Sequence, residues 1–380
     1  MSFLSSLASA FKGGGRSRVP LARSFVSPWS FALEPAPFEY RGAVRRAFLD
    51  NPVAQRAVRI VAEGIGGAPL AASEAEALRL ISTASAGQTL LETLAAHLLL
   101  HGNGYVQILR YGAGKPLELF ALRPERVTVV AGADGWPAAY RYTVGEQVLT
   151  LPVEDEDGWP AVIHLKAFHP ADDHYGAGCL SAASQAVAIH NAASAWNRAL
   201  LENAARPSGA LTMDAGDGNT LTPDQFDRLK AELEAAFAGG GNAGRPMVLE
   251  GGLKWQSLSL SPADMDFAEL KAAAARDIAL AFGVPPMLLG LPGDNTYANY
   301  REANRALWRL TLLPLTGKIL GGLSEGLRPW FPDLTLAVDL DRVPALAEDR
   351  ERLWAQVSAA DFLEAEEKRA LIGCPNRNKS

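Results

Sequence analysis

The sequence predicts an α+β protein with unusually long helices, and three patterns lead there. Residues 180–204 are alanine-rich and uninterrupted, with Arg198 and Glu202 as the only full charges. Such a run favours helix, and at 1.5 Å per residue it would extend roughly 37 Å. Residues 105–166 instead carry short apolar or alternating runs divided by Gly, Pro and Asp, the pattern of a mostly antiparallel sheet. The third pattern is an abrupt stop, where an apolar helix meets Gly283 and Pro285-Pro286, a polar loop follows, and a mixed helix begins near Thr296.

Composition narrows the function classes. A chain of 380 residues has room for two or three substructures with a sizeable core. No uncharged apolar stretch approaches the ~18 residues of a bilayer span, so no membrane role is expected. A net charge of −6 is the wrong sign for tight DNA binding through phosphate neutralisation. Cys179 and Cys374, two and far apart, offer neither a disulfide framework nor a zinc site and fit a reducing cytoplasm.

A flexible arm is expected over residues 1–44. Gly13-Gly14-Gly15 and the cations Lys12, Arg16, Arg18 and Arg23 lie among small polar residues, and Pro20, Pro28, Pro35 and Pro37 prevent a long helix. Phe3, Leu4, Leu7 and Phe11 could begin a targeting helix, but the cations follow it, opposite to a secretory signal.

The folded core opens at Asp50-Asn51-Pro52, a helix-start signal leading into Val53, Ala57, Ile60, Val61 and Ile65, and Ala68-Pro69-Leu70 closes that helix. Short helices follow over 74–81 and 89–100, the latter with the apolar face Leu90, Leu91, Leu94 and Leu98, ending at His101-Gly102-Asn103-Gly104. Strands are expected at 105–110, 117–122, 127–130, 139–144 and 162–166, then a polar loop over 169–178 and the long helix. Beyond it come a strand at 209–213 and a helix over 222–237. Thr222 caps that helix, with Pro223 first and Gln225 completing a capping box. The glycine run 239–241 and paired strands at 246–250 and 253–260 follow. Helices are then expected over 263–282 and from Thr296 to about residue 323, the second kinked by Pro314, followed by a strand at 334–340 and helix over 344–372. No internal repeat is visible.

Few residues suggest chemistry. His164, His169, Asp172, Asp173 and His174 are types that bind zinc or iron when they converge, but their spacing matches no metal motif, so they read as solvated loop residues. Gly112-Ala113-Gly114-Lys115 lacks the spacing and the Ser or Thr of a phosphate loop, and Pro116 makes it a hairpin turn. The run 239–245 lies between helix and strand, the reverse of a nucleotide-binding loop. Glu154-Asp155-Glu156-Asp157 reads as a solvated turn. In the helix after Thr296, Trp308, Leu312 and Leu315 recur at helical spacing, with Arg301, Glu302, Arg305 and Arg309 on other faces. That pattern fits an amphipathic helix on the core, or one lining a channel. No cofactor or metal is called for.

An ordered set of short motifs over roughly residues 45–375 resembles the portal proteins of long-tailed bacteriophages, prophages and gene transfer agents. They are Asn51-Pro52-Val53 with Ala68-Pro69-Leu70; His101-Gly102-Asn103-Gly104-Tyr105; Tyr175-Gly176-Ala177-Gly178, with Cys179-Leu180 where the family has Ser-Pro; and Arg206-Pro207-Ser208-Gly209-Ala210-Leu211. Phe282-Gly283-Val284-Pro285-Pro286-Met287-Leu288-Leu289-Gly290, Thr296-Tyr297-Ala298-Asn299 and Thr311-Leu312-Leu313-Pro314 complete the set.

The resemblance implies a homo-oligomeric ring, a dodecamer, at one capsid vertex, through which double-stranded DNA is packaged and ejected. It implies contacts with the major capsid protein, the large terminase and a head-tail adaptor, in a particle assembled in the bacterial cytoplasm. Mapped onto this chain, it makes 1–44 the arm, 45–180 an α/β wing, 181–204 a stem helix and 205–262 a small α/β clip. Residues 263–290 become the second stem helix with its Pro-Pro stop, 291–300 the tunnel loop, 301–343 the kinked tunnel helix and a return strand, and 344–380 a short helical crown. Gly293, Asp294, Asn295, Thr296, Tyr297 and Asn299 would then approach DNA with polar groups and no cations. Two other readings stand beside it: a different ring-forming head or neck adaptor, and a metal-dependent enzyme built on the histidine cluster.

Overall fold

The computed structural model describes residues 39–110, 114–155, 158–202, 209–213, 222–237, 253–257, 267–291 and 297–373. Among these, 58–181 with 297–373 form one compact unit, and 41–57 with 182–291 form another.

The first unit is built around antiparallel strands. Asn103–Arg110 lies centrally between Pro116–Leu122 and Val162–Lys166, so Tyr105 faces Leu122 on one side and His164 on the other. A second three-stranded sheet runs Val127–Ala131, Pro137–Val144, Gln147–Pro152. Sequence patterning leads one to expect a single sheet region. The chain makes two sheets that share one core of Tyr105, Leu122, Val127, Val129, Tyr140, Leu151 and Val162. The strand 147–152 was not expected. It follows a two-residue loop whose first residue, Gly145, has φ +60°, the primed-turn geometry that matches strand twist. The turn expected around residues 112–115 does join an antiparallel pair, with Arg110 opposite Pro116.

Helices cover this core. Leu90–Leu100 starts where the Thr89 hydroxyl accepts from the Glu92 backbone N–H at 3.1 Å, and its leucines 90, 91, 94 and 98 are buried as expected. Leu313–Leu327 lies on the strand Val162–Lys166. Gly322 and Gly326 permit that approach, since a Cβ there would stand 2.1 Å from Leu165 and 2.5 Å from Ile163. Leu70–Ala72 pairs with Leu336–Val338, shorter than the 334–340 strand expected. The C-terminal region is two helices, Ala347–Ala359 and Ala365–Ile372; Glu364 and Glu367 form a capping box at the second.

The second unit holds most of the long helix Cys179–Glu202, the helix Phe267–Ala281 and the helix Pro223–Phe237. The capping box expected at Thr222 forms, with the Thr222 N–H donating to Gln225 Oε1 at 3.0 Å and the Gln225 N–H to Thr222 Oγ1 at 3.4 Å. Gly209–Met213 pairs antiparallel with Leu253–Ser257, so the partner of 253–257 among the described residues is 209–213. The 246–250 strand expected as its partner, the glycine run 239–241 and residues 258–266 lie outside the described residues. Residues 40–44, read as the end of the arm, form the short helix Tyr40–Val44, which runs on as a π turn over Arg45–Leu49.

Candidate functional site

The helix stop is built as the sequence suggests. After Phe267–Ala281 the chain passes through Phe282 into Gly283 at φ +66°. The Gly283 N–H donates to the Leu280 carbonyl at 3.0 Å and the Val284 N–H to that of Ala279 at 2.9 Å, while Val284 is buried. This is a Schellman motif, which needs a residue that tolerates the left-handed region. Pro285 then extends the chain, Pro286–Leu289 form one 3-10 turn, and Gly290 leaves it at φ +73°.

Of the six residues expected in the tunnel loop, Gly293, Asp294, Asn295 and Thr296 lie outside the described residues. Tyr297 and Asn299 are placed in the first turn of the helix Tyr297–Leu307, and Asn299 is exposed. Residues 297–300 are thus helical, although the 291–300 range was read as loop. Further along, Arg301 pairs with Glu348 at 2.8 Å, and Arg305 reaches Glu302 at 3.1 Å and Glu348 at 2.8 Å. The Arg305–Glu302 pair is an i,i+3 contact within the helix, and the other two reach Glu348, at the start of Ala347–Ala359.

The irregularity expected at Pro314 occurs one turn earlier. Trp308–Leu312 is a π turn, and the Leu313 N–H donates to the Trp308 carbonyl five residues back. Pro314 has no N–H for an α bond to residue 310, and the wider turn absorbs that missing donor just before it. Leu312 is buried, as its apolar spacing suggests.

Two of the recognised motifs meet in space. Asn103 Oδ1 accepts from the Gly176 N–H at 2.8 Å and from His164 Nε2 at 3.1 Å. Its Nδ2 donates to the Gly176 carbonyl at 3.2 Å and to His101 Nδ1 at 3.1 Å. The double acceptor role of Oδ1 fixes His164 as the Nε2–H tautomer. Gly176 is required here, because a Cβ would lie 2.1 Å from the Gly102 carbonyl oxygen. The turn that starts the central strand is thereby joined to the turn preceding the long helix Cys179–Glu202.

Of the five clustered residues, His164 and His174 are not the solvated loop residues that spacing suggests, whereas Asp173 is exposed and His169 and Asp172 are part-exposed in the loop. His164 stacks on Tyr105 with centroids 4.3 Å apart. Burial, with smaller help from Lys166, pushes its pKa down to about 3. His174 is 3% exposed and donates from Nε2 to the Gly135 carbonyl at 2.7 Å. Asp172 Oδ1 accepts from the N–H groups of His174 and Tyr175, and His169 Nδ1 accepts from that of Ala171. Among the described residues no three His, Cys, Asp or Glu side chains are grouped to hold a metal. In the acidic run, Asp155 pairs with Arg110 and accepts from the Trp159 N–H at 3.0 Å, a built turn and not a free charge.

A comparable junction organises the second unit. Asn51, 1% exposed, caps the helix Pro52–Gly66 by accepting from Val53 and Ala54 N–H at 3.0 and 2.9 Å. Its amide donates to His190 Nδ1 at 3.1 Å and Asn191 Oδ1 at 2.8 Å, both on the long helix. Asn191 in turn donates to the Arg46 carbonyl at 2.9 Å. Burial, then Lys271, lowers the His190 pKa. Sequence identifies Asn51 as a cap; its second role, 139 residues away, has no local signal.

The described fold has counterparts among known proteins. The profile described as phage portal protein matches residues 52–373, and the chain belongs to that family. A chain from the neck of a native gene transfer agent particle, computed with C12 symmetry, is 48% identical, covering 91% of this chain and 97% of its own, at a TM-score of 0.68. An uncharacterized protein of Rickettsia felis is 40% identical over 346 residues, 87% of this chain and 88% of its own length. A HK97-family phage portal protein from Corynebacterium diphtheriae shares the fold at a TM-score of 0.54 and 19% identity, over 79% of this chain and 98% of its own.

Proposed function

We propose that this chain forms the portal ring of a phage-like particle, about a dozen copies at one capsid vertex, and is the channel for packaging and release of double-stranded DNA. The observation that carries this is the 48% identity, over nine-tenths of the chain, to a protein in a C12 particle neck. In this reading the terminase docks during packaging, a head-tail adaptor docks afterwards, and the major capsid protein surrounds the ring. The role is structural, and the reading assigns no catalytic group. Negative-stain imaging with native mass determination tests it. Rings with a central hole and about a dozen subunits are expected, and a compact monomer at every concentration would overturn the reading.

The tunnel segment in this proposal is residues 291–296 with the first turn of the helix Tyr297–Leu307, where Asp294, Asn295, Thr296, Tyr297 and Asn299 offer neutral or anionic polar groups. A wall without cations suits DNA that must slide, because each neutralised phosphate strengthens binding. Deleting 293–296 should leave rings intact while lowering the yield of DNA-filled particles severalfold. Unchanged packaging would remove the loop from the mechanism.

A further inference from the structure

Two strands of the first unit leave a sheet edge open. Hydrogen bonding in an antiparallel pair alternates along each strand, so one bond fixes the direction of the rest. The Ile108 N–H donates to the Ala161 carbonyl at 3.0 Å, which turns Ile108 toward Val162–Lys166 and its neighbours Gln107 and Leu109 toward Pro116–Leu122. Phe120 and Leu122 then bond inward, and the backbone groups of Leu117, Leu119 and Ala121 point away from the sheet. In the other sheet the Val153 N–H donates to the Ala138 carbonyl at 3.1 Å, so Leu149 and Leu151 bond to Pro137–Val144 while Val148 and Thr150 face out. These outward groups have no hydrogen-bond partner among the described residues. The other two margins carry cross-bonds: the Val129 N–H donates to the Tyr175 hydroxyl at 2.9 Å, and the Lys166 carbonyl accepts from Lys318 at 3.4 Å. The open edges cannot close on each other, because bonds run from Ile108 to Ala161 and from Ala161 to Val153. With Ile108 opposite Leu119, that row sets the two strands three spacings apart, about 14 Å. Proteins usually guard open edges with charge. Residues 147–151 have none, Val148 and Leu149 are both exposed, and Leu117 is 70% exposed.

We infer that in the ring the strand Gln147–Pro152 of one copy pairs with the strand Pro116–Leu122 of the next, so that a sheet continues from copy to copy. The inference rests on the ring reading above. A cyclic assembly repeats a heterologous contact in which two different surfaces of the same chain meet. This chain holds two open ladders of similar length, six and seven residues. Strand addition of this kind draws its affinity from main-chain bonds, and side chains on alternating faces set the fit. A second copy is favoured over a strand of another protein by the number of edges. A foreign strand would occupy one edge and leave the other open, whereas a closed ring uses both and leaves none.

Proline at an outward position removes an edge N–H without touching the chain's own ladder. Thr150→Pro closes one edge and Leu117→Pro the other, while Val148→Lys is a milder block of the first that keeps every N–H. Native mass determination reads the assembly, and circular dichroism with melting curves checks each fold. Leu149→Pro, whose N–H bonds within the sheet, is the variant expected to melt early. Each edge variant should lower ring yield about tenfold or more, since a bond is lost and the facing strand is held off. A one-to-one mixture of Thr150→Pro and Leu117→Pro gives the decisive reading. Each supplies the edge that the other lacks, so the mixture should form heterodimers and stop there, while neither variant dimerises alone. Wild-type ring yield in a folded Thr150→Pro or Leu117→Pro chain overturns the inference and leaves the ring reading standing. So does a mixture that forms no heterodimer. A wild type that forms no ring at any concentration sinks the ring reading itself.

Discussion

Asn103 and His164 show how single side chains govern this fold. An amide with two donors and two acceptor sites, held at 1% exposure, must place all of them, and Asn103 does so across two turns and a neighbouring strand. The arrangement needs a proton on His164 Nε2, which the neutral imidazole supplies. Burial lowers the His164 pKa to about 3, and burial followed by His101 lowers that of His97 to about 4. Above pH 6.5 both are neutral whether the chain is folded or unfolded, and they add no pH dependence. Below 6.5 the unfolded chain takes up protons that the folded chain refuses, so stability falls with pH until about 4 for His97 and about 3 for His164. Each contributes a slope of about 1.4 kcal/mol per pH unit in that window. Urea midpoints measured between pH 7 and 4.5 should fall accordingly, and His164→Gln should make the fall shallower. His164 was misread from sequence because the strand 162–166 is covered on both sides. Ile163 and Leu165 meet the helix Leu313–Leu327, while Val162 and His164 meet the other sheet. A polar residue in such a strand looks like an interruption and is in fact interior.

At the scale of elements, what sequence predicts well is what fixed offsets decide. The capping box at Thr222 and the Gly283 stop each depend on residues within five positions. Gly283→Ala makes the point quantitative. A Cβ at φ +66° costs about 1 kcal/mol or more. The substitution should lower the unfolding free energy by that amount, seen as a lower urea midpoint at unchanged slope, and an unchanged midpoint would mean the stop is not held as a Schellman motif. The strand 147–152 escaped notice for the complementary reason. Val148 and Leu149 are both exposed, so no alternation of burial marks them, and only Gly145 in the preceding turn gives a signal.

At the scale of the whole molecule, the two compact units are each assembled from separated stretches, and no local pattern announces that division. Residues 41–57 join 182–291 through Asn51 and Asn191, contacts between positions some 140 apart that become visible only in three dimensions. The order of short motifs carried the family because each is a turn or a stop whose chemistry is local, while their meeting points are not. The π turn at Trp308–Leu312 has a wider bearing than its five residues suggest. It holds one residue more than an α-helix of equal rise, and Leu310 within it is 78% exposed. Removing that residue would restore an ordinary ladder and swing residues 297–307, with Asn299 and Arg301, by about 100° about the helix axis. Insertion or loss of a single residue, ordinarily ruinous in a packed helix, becomes here a dial that sets which way a polar face is turned.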